Sequence, residues 1–268
     1  MAFNLSDGVV IAVDSATTMS DAFGSTTKVF LDADKLFQLG NLKVGIATYG
    51  VAALDGRTIG SFIREFSLRQ SNDDLPSLAI REIVERLRMF FFENYRSFAE
   101  KLYGAPFEQI PDEKKGALGL VVGGFSSGAF QSELWQISIP FHADPYSATQ
   151  WAVPGETTFV WFASALPITR YLKGIDPIVS IKIREIFEDI LGRPLSTEEQ
   201  ARFQTALDEH EFRIQVGGMP IQSGIACARF LVDFVLGHYR FAETHPIVGG
   251  KAKIGVVAYD HSGFKLLD

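Results

Sequence analysis

The stretch Gly8-Val9-Val10-Ile11-Ala12-Val13-Asp14 decides how the rest of the chain is read. A short apolar run without polar alternation, bounded by glycine and a carboxylate, predicts a strand buried on both faces. The next 36 residues, 15–50, are β-rich too. Residues 15–28 are polar and read as a long loop, 29–31 as a short strand, and Asp32 with Asp34 as a turn. Lys35-Leu36-Phe37-Gln38-Leu39 alternates as a strand does, Gly40-Asn41 is a hairpin signal, and 43–49 returns as a strand ending at Gly50.

Two helices are expected next. Residues 52–70 place Leu54, Ile59, Phe62, Ile63 and Phe66 at helical spacing, and 78–103 carry Ile80, Ile83, Val84, Leu87, Phe90 and Phe91 as a buried stripe. Ser77 is the expected N-cap of the second helix. Strands are expected at 118–122, 133–139 and 157–162, then a short helix at 166–172 stopped by Gly174. Residues 176–219 read as a charged helical insertion, with Ser196-Thr197-Glu198-Glu199 as a capping signal. A hydrophobic helix at 223–241 and a hairpin of 254–259 with 264–267, turning at His261-Ser262-Gly263, complete the chain. Strands and helices come in separate blocks, which favours an α+β layered fold over an alternating one. The expectation is a four-layer helix–sheet–sheet–helix sandwich, one domain over 1–268 with the insertion at about 176–219.

Composition narrows the function classes. The 268 residues carry 25 Lys and Arg against 32 Asp and Glu, a net charge of −7, with 47% hydrophobic and 21% charged residues. That balance suits a globular protein and offers no basic cluster for nucleic acid or an anionic membrane, so neither is expected as a partner. No apolar run reaches a membrane span, and the start lacks the pattern of a signal peptide, which predicts a soluble cytoplasmic protein. Cys227 is the single cysteine and lies among apolar residues, where a thiol is usually an inert small hydrophobe. His142, His210, His238, His245 and His261 show no metal-ligand spacing, so no metal or other cofactor is expected. Gly123 to Gly128 reads as a turn between strands, and Gly249-Gly250-Lys251-Ala252 as a glycine turn into a strand; neither has phosphate-loop spacing.

Asp14 and Lys35 are the candidate pair. A carboxylate ending one strand can hold the ammonium opening another when the two lie side by side in one sheet. A lysine so placed and partly desolvated can act as a base, while the plainer reading is a cross-strand ion pair. Lys28 competes for the role, although Lys35 opens the better strand.

Asp7 to Ser15, then Lys35 to Leu39, then Gly45-Ile46-Ala47-Thr48-Tyr49-Gly50 resemble the start of proteasome-type β subunits. Val248-Gly249-Gly250 before an apolar strand and hairpin is similar to how those subunits finish. Residues 6–70 carry the clearest likeness, 117–175 and 220–268 a looser one, and 176–219 none. The resemblance implies the N-terminal nucleophile hydrolase fold, an αββα sandwich, and a threonine-type peptidase that cleaves unfolded protein or peptide inside a ring of its own copies. An ATPase unfoldase is a partner it allows. It gives Asp14 the supporting carboxylate, Lys35 the lysine, Gly50 the oxyanion-binding N–H and Ser164 a supporting hydroxyl. The α-amino group of an N-terminal nucleophile titrates near pH 8, so a useful fraction is free base at neutral pH.

The departures are specific. Counted back from Asp14, the attacking threonine falls just before Met1. Thr17, Thr18, Thr26 and Thr27 are internal, and Thr244-His245-Pro246-Ile247-Val248 lacks the acidic residue and serine of the family's turn. They lead to two expectations: a start read a few residues too late, with a Thr, Ser or Cys upstream, or a catalytically inert structural subunit of the same fold. A weaker third is a small-amide hydrolase with 176–219 as a lid.

Overall fold

The computed structural model describes all residues except 21–25, 71–76, 141–147, 164–165, 243–247, 261–262 and 268. It is a mixed α+β chain of antiparallel sheets, in two compact units: Met1–Ala163 with Val216–Asp268, and Ser164–Gln215.

The first unit holds two five-stranded sheets. In one, β1 (Ala2–Leu5) and β2 (Gly8–Val13) lie centrally, and the strands from late in the chain, β12 (Thr158–Val160), β13 (Lys253–Ala258) and β14 (Phe264–Leu267), complete the order β12-β1-β2-β13-β14. The other has the order β11-β10-β9-β6-β5. Its members are β5 (Leu36–Gln38), β6 (Val44–Gly50), β9 (Leu118–Phe125), β10 (Ser132–Ile139) and β11 (Ala148–Ala152). Side chains alternate across the pleat, so each strand feeds two layers. Ala2, Val9 and Ile11 of the first sheet share one buried cluster with Leu36, Ala47, Val121 and Leu134 of the second. The neighbouring Val44, Ile46, Leu120, Val122 and Ile137 turn the other way, into a cluster with α1 (Ile59–Gln70) and α2 (Ile80–Tyr103). On the far face of the first sheet, α6 (Ile221–Phe241) brings Gly224 against Leu5 and Val10.

Helix α2 buries Ile80, Ile83, Val84, Leu87, Phe91, Tyr95 and Ala99, a stripe at three- and four-residue steps, and stops at Gly104 in the left-handed region. Its N-cap is Ala79 rather than Ser77, and the Glu82 carboxylate accepts from the Ala79 N–H at 3.1 Å. The expected helix at 52–70 is shorter. A hairpin of β7 (Ala53–Leu54) and β8 (Arg57–Thr58) takes its first turns, because Asp55-Gly56 supplies the positive φ that a tight hairpin needs. The loop expected at 15–28 contains β3 (Thr17–Ser20), paired with β4 (Thr26–Phe30). The turn at 261–262 and most of 244–248 lie outside the described residues.

The second unit contains α3 (Leu166–Lys173), α4 (Pro177–Leu191) and α5 (Thr197–Asp208), and so begins earlier than the insertion read from sequence. Asp176 caps α4 by accepting from the Val179 N–H at 3.0 Å. Ser196 and Glu199 form the expected capping box on α5, and Arg193 grips the Glu199 carboxylate through two N–H groups at 2.7 and 2.8 Å. The Arg193 guanidinium and then the Ser196 N–H pull Glu199 down to about 2 from its ordinary 4.5. A depressed carboxylate contributes its stabilisation above the unfolded value and loses it as pH falls through the folded one. The protection of amides in the first turn of α5, relative to their intrinsic exchange rates, is therefore expected to fall between about pH 4.5 and 2, and Glu199→Gln to remove that fall. An unchanged profile in the variant would contradict this.

Candidate active site

Asp14 follows β2 at its carboxyl end, and Lys35 stands immediately before β5. The two strands belong to different sheets, so the pair is not side by side in one sheet as the sequence suggested: β13 occupies the place beside β2. The pair meets across the two sheets instead. Lys35 Nζ donates to Asp14 Oδ1 at 2.6 Å, with the side chains 18% and 16% exposed. Lys28 lies elsewhere, exposed on β4 with its ammonium 4.5 Å from the Phe30 ring.

The other carboxylate oxygen is also held. Asp14 Oδ2 accepts from the N–H groups of Ala16 and Gly249, each at 3.1 Å. Ser15 clamps the same loop: its hydroxyl donates to the Leu31 carbonyl and accepts from the Lys251 N–H at 2.8 Å. Gly250 has φ +76, and a Cβ there would lie 2.2 Å from both the Leu31 carbonyl oxygen and Ser15 Oγ, so a side chain would split the clamp. Read from sequence, Gly249-Gly250 is only a turn. Its use in holding Asp14 depends on a contact across most of the chain, which local pattern does not reveal.

Ladder parity positions Gly50. Thr48 turns its N–H to the Lys35 carbonyl at 2.9 Å and Val51 turns its own to Ala117 at 2.8 Å. Gly50 stands two residues after Thr48, so its N–H is directed to the Lys35 side, past the start of β5. Its φ is +79 and a Cβ would sit 1.9 Å from the Ala117 oxygen, which restricts the position to glycine. Strand β1 leads into the same region. Met1 and Ala12 exchange backbone hydrogen bonds, and the Met1 amine is lowered to about 5 by burial, against the opposing pull of Asp14. Ser164 lies outside the described residues.

Beyond the site, burial pushes the Cys227 thiol up, which disfavours its thiolate. A groove of about 750 Å³ bordered by Asp7, Ile221, Tyr259, Asp260 and Lys265 lies toward the opposite end of β2 and does not include the Asp14–Lys35 pair. No described helix is long and apolar enough to cross a membrane.

Asp14→Asn tests how far the pair supports the fold. The amide oxygen can keep the accepted N–H bonds only by turning its NH2 toward the Lys35 ammonium. A loss of about 1–3 kcal/mol is expected in urea unfolding; an unshifted midpoint would show that the ion pair adds nothing.

Set against known proteins, the chain matches no protein-family model and no curated protein.

Proposed function

We propose that the chain is a proteasome-like subunit of the N-terminal nucleophile hydrolase class, a threonine-type peptidase that cleaves unfolded chains within a ring of its own copies. The observation that carries this reading is the register of β1 on β2 together with the Lys35–Asp14 bond of 2.6 Å. The register pairs Ala2 with Ile11 and Leu5 with Gly8, and Met1 bonds Ala12. Carried one residue further, the same ladder sets the residue before Met1 opposite Val13, next to Asp14. An attacking Thr, Ser or Cys on that extension lies within the reach of Lys35, with the Gly50 N–H directed to the same side for the developing oxyanion.

The layering supports the reading as well: α1 and α2 share a buried cluster with the second sheet and α6 meets the first. On the proposed reading these form the layers of an αββα sandwich that frames such sites between its sheets. In this mechanism Lys35, as the free amine, takes the proton of the nucleophile and returns it to the leaving amine, while Asp14 orients the lysine side chain.

Intact-mass measurement and N-terminal sequencing of the protein from its native source test the proposal. The expected result is a Thr, Ser or Cys ahead of Ala2 that an electrophile selective for N-terminal nucleophiles labels covalently. A native chain that begins at Met1 or Ala2 and takes no label would withdraw the peptidase and leave a structural subunit.

A further inference from the structure

Helix α4 carries an apolar seam that its own unit does not cover. Val179, Ile183, Ile186 and Ile190 recur at steps of four, three and four residues, the spacing of one coiled-coil face. Within that face Val179 is 38%, Ile186 58% and Ile190 75% exposed, and no residue of α4 is buried. Phe187, beside the seam, packs on Phe203 of α5 with ring centroids 6.2 Å apart, so α5 covers one flank only.

The opposite flank says what would cover the seam. In this heptad Lys182 and Asp189 occupy equivalent positions one repeat apart. Among the described residues neither side chain has an ion-pair partner within the chain. When two copies of a helix pair antiparallel, equivalent flanking positions face each other, and they do so symmetrically about the two-fold axis. The seam layers then set Val179 against Ile190 of the other copy and Ile183 against Ile186. The same two-fold brings Lys182 opposite Asp189 twice, once on each side of the axis. A parallel pairing would instead turn Lys182 toward Phe187 of the other copy, where it meets no opposite charge. Charge and apolar spacing therefore both fit the antiparallel pairing, whose seam layers are centred between residues 184 and 185.

We infer that α4 is a self-recognition surface, on which a second copy of this chain docks antiparallel through the Val179–Ile190 seam and reciprocal Lys182–Asp189 pairs. The inference does not depend on the peptidase reading.

Site-directed crosslinking in the full chain tests it in any assembly state. In a Cys227→Ser background, Ile186→Cys is treated with a short bismaleimide, with Glu185→Cys on the far side of the helix as control. Covalent dimer is expected from Ile186→Cys and at least tenfold less from Glu185→Cys. Adding Lys182→Glu is expected to lower the Ile186→Cys yield several-fold, and adding Asp189→Lys as well to restore it. Circular dichroism confirms that each variant is folded. Equal crosslinking at both cysteines, no crosslinking at either, or a charge exchange that fails to restore the yield would each overturn the proposal.

Discussion

On the proposed peptidase reading, Lys35→Ala is expected to reduce amide hydrolysis by about 10²–10⁴-fold, the range for loss of a positioned proton-transfer group. The argument begins with placement. The ammonium lies 2.6 Å from Asp14 Oδ1 at 18% exposure, where the carboxylate fixes its direction. Alanine removes the proton carrier and leaves Asp14, among the described residues, with its two backbone donors. The fall belongs in kcat, because a proton-transfer group acts in the transition state. Lys35→Arg separates chemistry from structure: it keeps a cation beside Asp14 yet never releases its proton near neutral pH, so unfolding midpoints should hold while turnover is lost. Full activity in Lys35→Ala, with Asp14 intact, would sink the peptidase mechanism.

The second large effect concerns the core between α2 and its sheet. Phe91 is fully buried, with the Phe90 ring 5.5 Å away in an edge-to-face contact and the Phe62 ring at 6.3 Å. Phe91→Ala removes a full ring from a layer that cannot collapse onto the gap, since the rigid sheet lies beneath it. A loss of about 3–5 kcal/mol is expected in denaturant unfolding. Phe130→Ala is the matched contrast, because Phe130 is 72% exposed; its cost should stay within about 0.5 kcal/mol. Equal costs at the two positions would mean that the α2 layer is less closely packed than its burial implies.

How much of this is legible in the sequence depends on how local each signal is. Strand β2 and the pair β5 and β6 can be read because apolar runs and a Gly-Asn turn act over a few residues. The buried stripe of α2 is set by its spacing, and the α5 capping box by four consecutive residues. The α1 start is misread because the apolar Leu54 fits a helical pattern, whereas Asp55-Gly56 imposes a turn that outweighs it. The Asp14–Lys35 contact is legible in the sequence and its geometry is not. Which strand neighbours β2 is settled by β13, from the far end of the chain, and periodicity carries no information about that choice. For the same reason the roles of Ser15, Gly249 and Gly250 become visible only when the fold brings them together.

The order of strands in the first sheet also constrains how the protein can be made. β13 lies inside that sheet, between β2 and β14, although it is separated from β2 by most of the chain. During synthesis β1 and β2 leave the ribosome early and wait with one edge unpaired until β13 emerges. The second sheet, whose strands all come from the first part of the chain, can close long before that. A ribosome that stalls within the second unit therefore leaves a nascent protein with one sheet finished and the other open along the edge of β2, the form most exposed to chaperones and to aggregation.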